Sequence, residues 1–150
     1  MGRSLRSTAP GRICLFGEHQ DYMGLPVIAG AIHLGITVEG VVSAGNRIQV
    51  ELPDLRESLL FSFEDLTYRG PRDYLRSSVQ VLARDGFLST PLSIKATIRG
   101  TIPIQAGASS SSALINAWIA FLLFASGNHL EARNASLVAR LAFRAEVTEF

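Results

Sequence analysis

The order of sequence patterns predicts an α+β fold, a mixed β-sheet with helices packed on one face. Segments with the two-residue alternation of β-strands dominate the first half of the 150-residue chain, and two apolar helical patterns close it. A further helical pattern lies between two of the strands. This order favours a mixed sheet with a helical layer over a doubly wound sheet, in which strands and helices alternate throughout.

The predicted strands share β-branched or alternating apolar residues, and turn-forming residues separate several of them. They cover residues 12–16, 35–42, 47–52, 59–63 and 92–98. Residues 1–8 are polar and basic, so we expect a frayed start, and Ala9-Pro10-Gly11 is expected to form a turn.

The first helix is expected to begin near Pro71, whose fixed φ suits a first turn, and to end at Gly86. Two further helices are expected over about Ser110–Ala125 and Glu131–Phe150. The last helical pattern runs out without Gly, Pro or a polar tail, which suggests the front part of a longer protein.

The amino-acid composition limits which classes of function the protein can have. A hydrophobic content of 47% suits one domain with a real core, and the net charge of +1 argues against nucleic acid or an anionic membrane surface as a partner. Lys95 is the only lysine, which excludes a Walker A phosphate loop. Cys14 is the only cysteine, which excludes an internal disulfide and fits a reducing, cytoplasmic location. The apolar run 113–125 is shorter than the roughly 20 residues that span a bilayer, so we expect a buried helix.

A serine-rich loop precedes that apolar helix. Its sequence is Pro103-Ile-Gln-Ala-Gly-Ala-Ser-Ser-Ser-Ser-Ala113. A helix that begins among these serines presents unpaired N–H groups and the positive end of its dipole, which favours phosphate. Gly107 lets a ligand approach the backbone closely, and a serine hydroxyl could reach a bound Mg²⁺. The alternative is a serine-capped core helix without a ligand, since Ser is a preferred N-cap.

A second polar loop follows the first predicted strand. Arg12 stands at one end of this strand, and Glu18, His19 and Asp21 follow its other end. Carboxylates accept directed hydrogen bonds from neighbouring hydroxyls, so a sugar is a suitable ligand for these residues. The alternative is a solvated turn with one surface ion pair, which would contribute little to stability.

The two loops resemble the first and second motifs of the GHMP small-molecule kinases, a family that includes galactokinase, homoserine kinase, mevalonate kinase and phosphomevalonate kinase. The stretch Ala9-Pro-Gly-Arg-Ile-Cys-Leu-Phe-Gly-Glu-His-Gln-Asp-Tyr-Met-Gly24 is especially similar to the galactokinase signature. Mevalonate kinases share its Ala-Pro-Gly start and its Gly-Glu-His, but not the Asp-Tyr that follows. The stretch from Pro103 to Ala113 resembles the phosphate-binding loop of the family.

The resemblance implies that residues 1–150 are a GHMP kinase N-terminal, ATP- and substrate-binding domain with the fold of ribosomal protein S5 domain 2. It also implies that this domain is truncated, since the family's C-terminal lobe and its catalytic aspartate lie beyond the equivalent of Phe150. The implied activity is phosphoryl transfer from Mg²⁺·ATP to an alcohol group, with a galactose-like sugar as the expected substrate. Residues 1–150 alone are expected to have no turnover, and the oligomeric state stays open.

The resemblance also assigns roles to the first loop. Arg12 falls on the arginine that stabilises charge during phosphoryl transfer. The residues that fall on the sugar-binding positions are Glu18, His19 and Asp21. The family difference at Asp21-Tyr22 favours a sugar over mevalonate.

The resemblance also implies that the second loop binds the ATP phosphates. Its implied phosphate-binding residues are Gly107, Ala108, Ser109, Ser110 and Ser111. Ser110 or Ser111 is the implied first ligand of Mg²⁺, and Glu146 is the implied second ligand. The spacing from Glu146 to Phe150 is one residue longer than in ordinary galactokinases, so Glu149 is the rival of Glu146. The loop departs from the family at Ser112, where Ala is common.

Three other functions remain open at this point. The first is a mevalonate-type kinase. The second is a non-catalytic sugar and nucleotide sensor on the same scaffold, which the additional Ser112 makes conceivable. The third is a structural domain with a serine-capped helix and no ligand.

Overall fold

The computed structural model of the protein describes residues 2–20, 23–103 and 107–150, which contain a five-stranded mixed sheet. The strands are β1 (Arg3–Phe16), β2 (Ile28–Ala44), β3 (Ile48–Leu52), β4 (Glu57–Phe61) and β5 (Leu92–Gly100). Their order in the sheet is β1-β2-β5-β3-β4, with β3 parallel to β5 and the other neighbours antiparallel. The predicted α+β class with a mixed sheet is therefore confirmed.

The frayed start expected at residues 1–8 and the turn expected at residues 9–11 are wrong, because residues 3–11 belong to β1. Arg3 to Pro10 pair with Val42 to Gly35 of β2, and the register shifts between Pro10 and Arg12. The expected turn is thus a β-bulge inside one long strand. Polar residues fit here because β1 is an edge strand with one face toward solvent, and local pattern alone does not reveal its pairing.

Helices follow the predicted order; the expected bounds Ser110–Ala125 are confirmed, and the bounds of the other helices differ. They are α1 (Tyr74–Arg84), α2 (Ser110–Ala125), α3 (His129–Arg133) and α4 (Ala135–Phe143), with a π-helical turn over Arg144–Thr148. Helix α1 begins three residues after the expected start near Pro71, because Asp73 is the N-cap and accepts a hydrogen bond from the Arg76 amide. The single helix expected over 131–150 is interrupted at Asn134, whose side chain caps α4 by accepting from the Leu137 amide at 3.1 Å.

Helix α2 is the centre of the hydrophobic core. It packs against β1 and β2 on one side and against α1 and α4 on the other, which explains why it is apolar around its whole circumference. Trp118 is fully buried, stacks on Phe121 with ring centroids 5.7 Å apart, and donates a hydrogen bond to the Leu75 carbonyl. The expectation of a buried helix is confirmed. In the described part of the chain, no helix combines the length and apolarity that crossing a bilayer requires.

Candidate functional site

The amino end of α2 is open toward the loop that precedes it. Ser109 has left-handed backbone angles (φ 55°, ψ 46°), and within the described residues its side chain makes no capping hydrogen bond. Ala113 is the residue whose amide donates to the Ser109 carbonyl, at 3.0 Å, so the amides of the turn before Ala113 have no acceptor inside the helix. A left-handed serine costs about 1–3 kcal/mol, and such strain concentrates at ligand-binding sites. A plain serine cap therefore does not describe this helix start.

Strand β1 meets the serine-rich loop at its bulge. The Arg12 amide donates to the Ala108 carbonyl at 3.1 Å. A Cβ atom on the buried Gly11 would lie 2.9 Å from the same carbonyl oxygen and 2.9 Å from Cδ1 of Ile102. Glycine is therefore required for this close approach, which fixes the backbone of Arg12 next to the loop.

Glu146 joins the first turn of α2 to the π turn. Its Oε1 accepts a hydrogen bond from Ser111 Oγ at 2.6 Å, and its Oε2 accepts one from Ser112 Oγ at 2.9 Å. Carboxylate and hydroxyl oxygens are hard donors of the kind that Mg²⁺ prefers. No group of three or more His, Cys, Asp or Glu residues within 2–20, 23–103 and 107–150 could hold a metal by itself. One carboxylate suits Mg²⁺, which completes its coordination with water and substrate phosphates.

Glu149, the rival metal ligand, is held elsewhere. Its Oε2 accepts a hydrogen bond from the Tyr68 hydroxyl at 2.5 Å, and its Oε1 forms an ion pair with Arg84 at 2.6 Å. Burial, and next the hydrogen bond to Glu149, raise the pKa of Tyr68 above its ordinary value, so the phenol stays a donor. Of the two carboxylates, Glu146 is the one that contacts the serines.

A cleft of about 700 Å³ opens beside the amino end of α2. Ser110 and Ser111 line one end of it, and residues 69–76, which lead into α1, form a wall. Its lining is largely apolar, which suits a drug-sized or nucleotide-sized ligand. Burial, and next the negative charge of Glu146, raise the pKa of Tyr74 in this wall. A smaller cavity of about 390 Å³ lies over strands β1, β2 and β5 and contains none of the predicted site residues.

The predicted sugar-binding residues lie apart from this cleft in the described part of the chain. Glu18 and His19 are exposed in the loop that follows β1, and Asp21 lies outside the described residues. From Arg12 to the end of β1 at Phe16 the strand advances about 13 Å, at roughly 3.3 Å per residue. The structure thus brings together Arg12, the serine-rich loop and Glu146, with Glu18 and His19 beyond the far end of the same strand.

Sequence reasoning missed an ion pair in the wall of the cleft. Oδ2 of Asp73 and Nη1 of Arg76 lie 2.7 Å apart, and the two side chains are only 9% and 5% exposed, respectively. The guanidinium group of Arg76 also lies over the Phe61 ring, 4.6 Å from its centroid, and its Nε has no hydrogen-bond partner among the described residues. An acidic residue three positions before an arginine at a helix start is a signal that could have identified this pair.

Comparison with known families decides the identity of the fold. A family model described as the GHMP kinases N terminal domain matches residues 73–149, just over half of the chain. The chain belongs to the GHMP kinase family. A second model, the galactokinase galactose-binding signature, matches residues 2–40 of the chain.

Relatives of the chain include two kinds of enzyme. It is 32% identical over 129 residues to the mevalonate kinase of Pyrococcus abyssi, and the aligned region covers 79% of this chain and 38% of that protein. It is 31% identical over 140 residues to the galactokinase of Thermococcus kodakarensis, and the aligned region covers 92% of this chain and 39% of that protein. The chain therefore spans about two fifths of the length of these relatives.

The fold of the chain is also found in a solved structure. The crystal structure of Lactococcus lactis galactokinase complexed with galactose matches with a TM-score of 0.79 at 23% identity, covering 96% of this chain and 37% of that one. At this identity the match establishes the shared fold.

Proposed function

We propose that residues 1–150 are the ATP- and substrate-binding domain of a sugar kinase, which transfers the γ-phosphoryl group of Mg²⁺·ATP to a hydroxyl group of a galactose-like sugar. The observation that carries this proposal is the meeting of three elements at the amino end of α2. The Arg12 backbone is hydrogen-bonded to Ala108, and Glu146 is hydrogen-bonded to Ser111. Phosphoryl transfer depends mainly on positioning and charge stabilisation, which such a meeting supplies.

The triphosphate binds at the serine-rich loop. The amides of residues 110–112 precede the first intrahelical hydrogen bond of α2, and the helix dipole makes this end positive. The positive φ of Gly107 (66°) and of Ser109 (55°) bends the backbone around this point. The apolar cleft beside Ser110 and Ser111 accepts the nucleoside.

Glu146 and Ser111 hold the metal, with Ser110 as a further candidate ligand. Bound Mg²⁺ supplies the positive charge that neutralises the phosphate oxygens. The Ser112 hydroxyl holds the second oxygen of Glu146 at 2.9 Å, which restricts the rotation of the carboxylate before the metal arrives. Arg12 stabilises the charge on the transferring phosphoryl group from the β1 side.

The sugar binds at the loop after β1, where Glu18, His19 and Asp21 provide acceptors for its hydroxyl groups. The match of residues 2–40 to the galactose-binding signature supports this choice. A mevalonate-type kinase is the second candidate, because a mevalonate kinase is as similar to the chain as a galactokinase is.

A substrate panel tests the proposal. We expect the intact natural protein, supplied with Mg²⁺·ATP, to phosphorylate a free hexose such as galactose in preference to mevalonate, with the product identified by ³¹P NMR. Preference for mevalonate would support the second candidate. Binding of ATP and sugar without any product would instead support a sensor, and binding of neither would contradict both kinase functions. Residues 1–150 alone serve as the comparison and are expected to show no turnover.

A further inference from the structure

We propose that Ser77 of α1, which does not line the cleft, is a positioning residue that holds the π turn and thereby orients Glu146 toward Ser111. The inference rests on the proposed role of Glu146 as a metal ligand. It concerns a fully buried hydroxyl group whose hydrogen-bond acceptors, the Tyr74 and Ala145 carbonyls, lie outside both predicted ligand loops.

The π turn leaves one carbonyl without its usual donor. The amide of Glu149 donates to the Arg144 carbonyl, five residues back, at 3.1 Å. In an α-helix the same amide would donate to Ala145, four residues back. The Ala145 carbonyl accepts a hydrogen bond from Ser77 Oγ instead, at 2.8 Å. Ser77 and Ala145 are both 0% exposed, so water does not replace the serine.

This wide turn separates two carboxylates that an α-helix would place together. Residues three apart lie on one face of an α-helix, as Glu146 and Glu149 would. Here Glu146, inside the π turn, contacts Ser111 and Ser112, while Glu149, directly after the turn, contacts Tyr68 and Arg84. The turn also accounts for the additional residue between Glu146 and Phe150, since a π turn accommodates one more residue than an α-helical turn.

Other contacts of the π turn lie closer to the surface. Arg144 forms two hydrogen bonds with Asp85, at 2.5 and 2.9 Å, and the side chains are 41% and 29% exposed. These hydrogen bonds lower the pKa of Asp85. Because both side chains are partly exposed, solvent screens this ion pair. Loss of the Ser77 hydroxyl has the larger consequence, because it leaves a buried carbonyl unpaired and favours a return to α-helical hydrogen bonding.

Ser78 provides a matched control. It is also 0% exposed, but its hydroxyl donates to the Tyr74 carbonyl inside α1, at 2.6 Å. We expect Ser77→Ala to weaken Mg²⁺·ATP binding by the intact protein about tenfold, as is typical when a group that orients a metal ligand is lost. Metal-free ATP should bind Ser77→Ala and wild type equally, and Ser78→Ala should match wild type throughout. Isothermal titration measures the affinities, and hydrogen–deuterium exchange should show faster exchange at residues 145–149 in Ser77→Ala alone.

Suppose that the wild-type protein binds Mg²⁺·ATP. Equal Mg²⁺·ATP affinities for Ser77→Ala and Ser78→Ala would then overturn this inference and leave the proposed function intact. Absence of Mg²⁺-dependent ATP binding in the wild type would overturn the proposed function and the inference with it. If Ser77→Ala does not fold, Ser77→Thr and Ser77→Val decide, because they have similar volumes and differ in the hydroxyl group. Weaker Mg²⁺·ATP binding by Ser77→Val than by Ser77→Thr supports the inference, and equal binding contradicts it.

Discussion

Replacing Glu146 by Gln is expected to lower kcat/KM of the intact protein by about 10²–10³-fold, the range for removing one group that stabilises charge in a transition state. The carboxylate lies within 2.6 Å of Ser111 Oγ, at the start of the helix where the triphosphate is proposed to bind. Glutamine keeps the size and one acceptor oxygen but loses the negative charge that binds Mg²⁺. Steady-state kinetics at several Mg²⁺ concentrations measure the effect, and the apparent Mg²⁺ requirement should rise.

Glu149→Gln is the control for this prediction. Glu149 is three residues away, directly after the same π turn, but it is bound to Tyr68 and Arg84. Its replacement should cost about 1 kcal/mol of stability through the weakened hydrogen bond and leave the Mg²⁺ requirement unchanged. The reverse outcome, a raised Mg²⁺ requirement for Glu149→Gln and none for Glu146→Gln, would assign the metal to the rival carboxylate.

Replacing Arg12 by Ala is expected to lower kcat by about 10²–10³-fold while KM for ATP and for the sugar changes little. The Arg12 amide donates a hydrogen bond to the Ala108 carbonyl, so the backbone that carries the guanidinium group lies beside the proposed phosphate loop. A group that acts on developing charge contributes in the transition state more than in the ground state. Steady-state kinetics with both substrates varied separate the two parameters.

Arg6→Ala and Asp21→Ala complete the Arg12 experiment. Arg6 lies on the same strand and is exposed, but it pairs with Glu39 at 3.2 Å and should be replaceable without loss of kcat. Asp21→Ala should weaken sugar affinity as well as kcat. Purely KM effects of equal size for Arg12→Ala and Asp21→Ala would contradict the separate roles of the two residues.

Much of the fold could be predicted from the sequence, because strands with one buried face and an all-apolar helix carry strong periodic signals. The segment 92–98 alternates in the sequence and does so in the structure, where Ile94, Ala96 and Ile98 are buried. Residues 3–10 could not be predicted in this way. Their order comes from pairing with β2, some thirty residues away, and a polar edge strand resembles a loop when only its own sequence is considered.

The candidate site was predictable to the extent that its residues share one loop or one strand. The serine-rich loop and Arg12 are local patterns, and their contact through Ala108 agrees with their proposed joint role. The choice between Glu146 and Glu149 depended on the width of one helical turn, which the sequence pattern does not encode. The spacing of Asp73 and Arg76 is a local signal for an ion pair, but the burial of this pair in the wall of the cleft depends on tertiary packing, which the sequence pattern does not encode.

The most direct test of the central claim is a crystal structure of the intact protein with Mg²⁺ and a non-hydrolysable ATP analogue. The triphosphate is expected over the amides of residues 107–111, with Mg²⁺ about 2.1 Å from a carboxylate oxygen of Glu146 and from a serine hydroxyl of the loop. A triphosphate bound away from the amino end of α2, with Glu146 still hydrogen-bonded only to Ser111 and Ser112, would contradict the account.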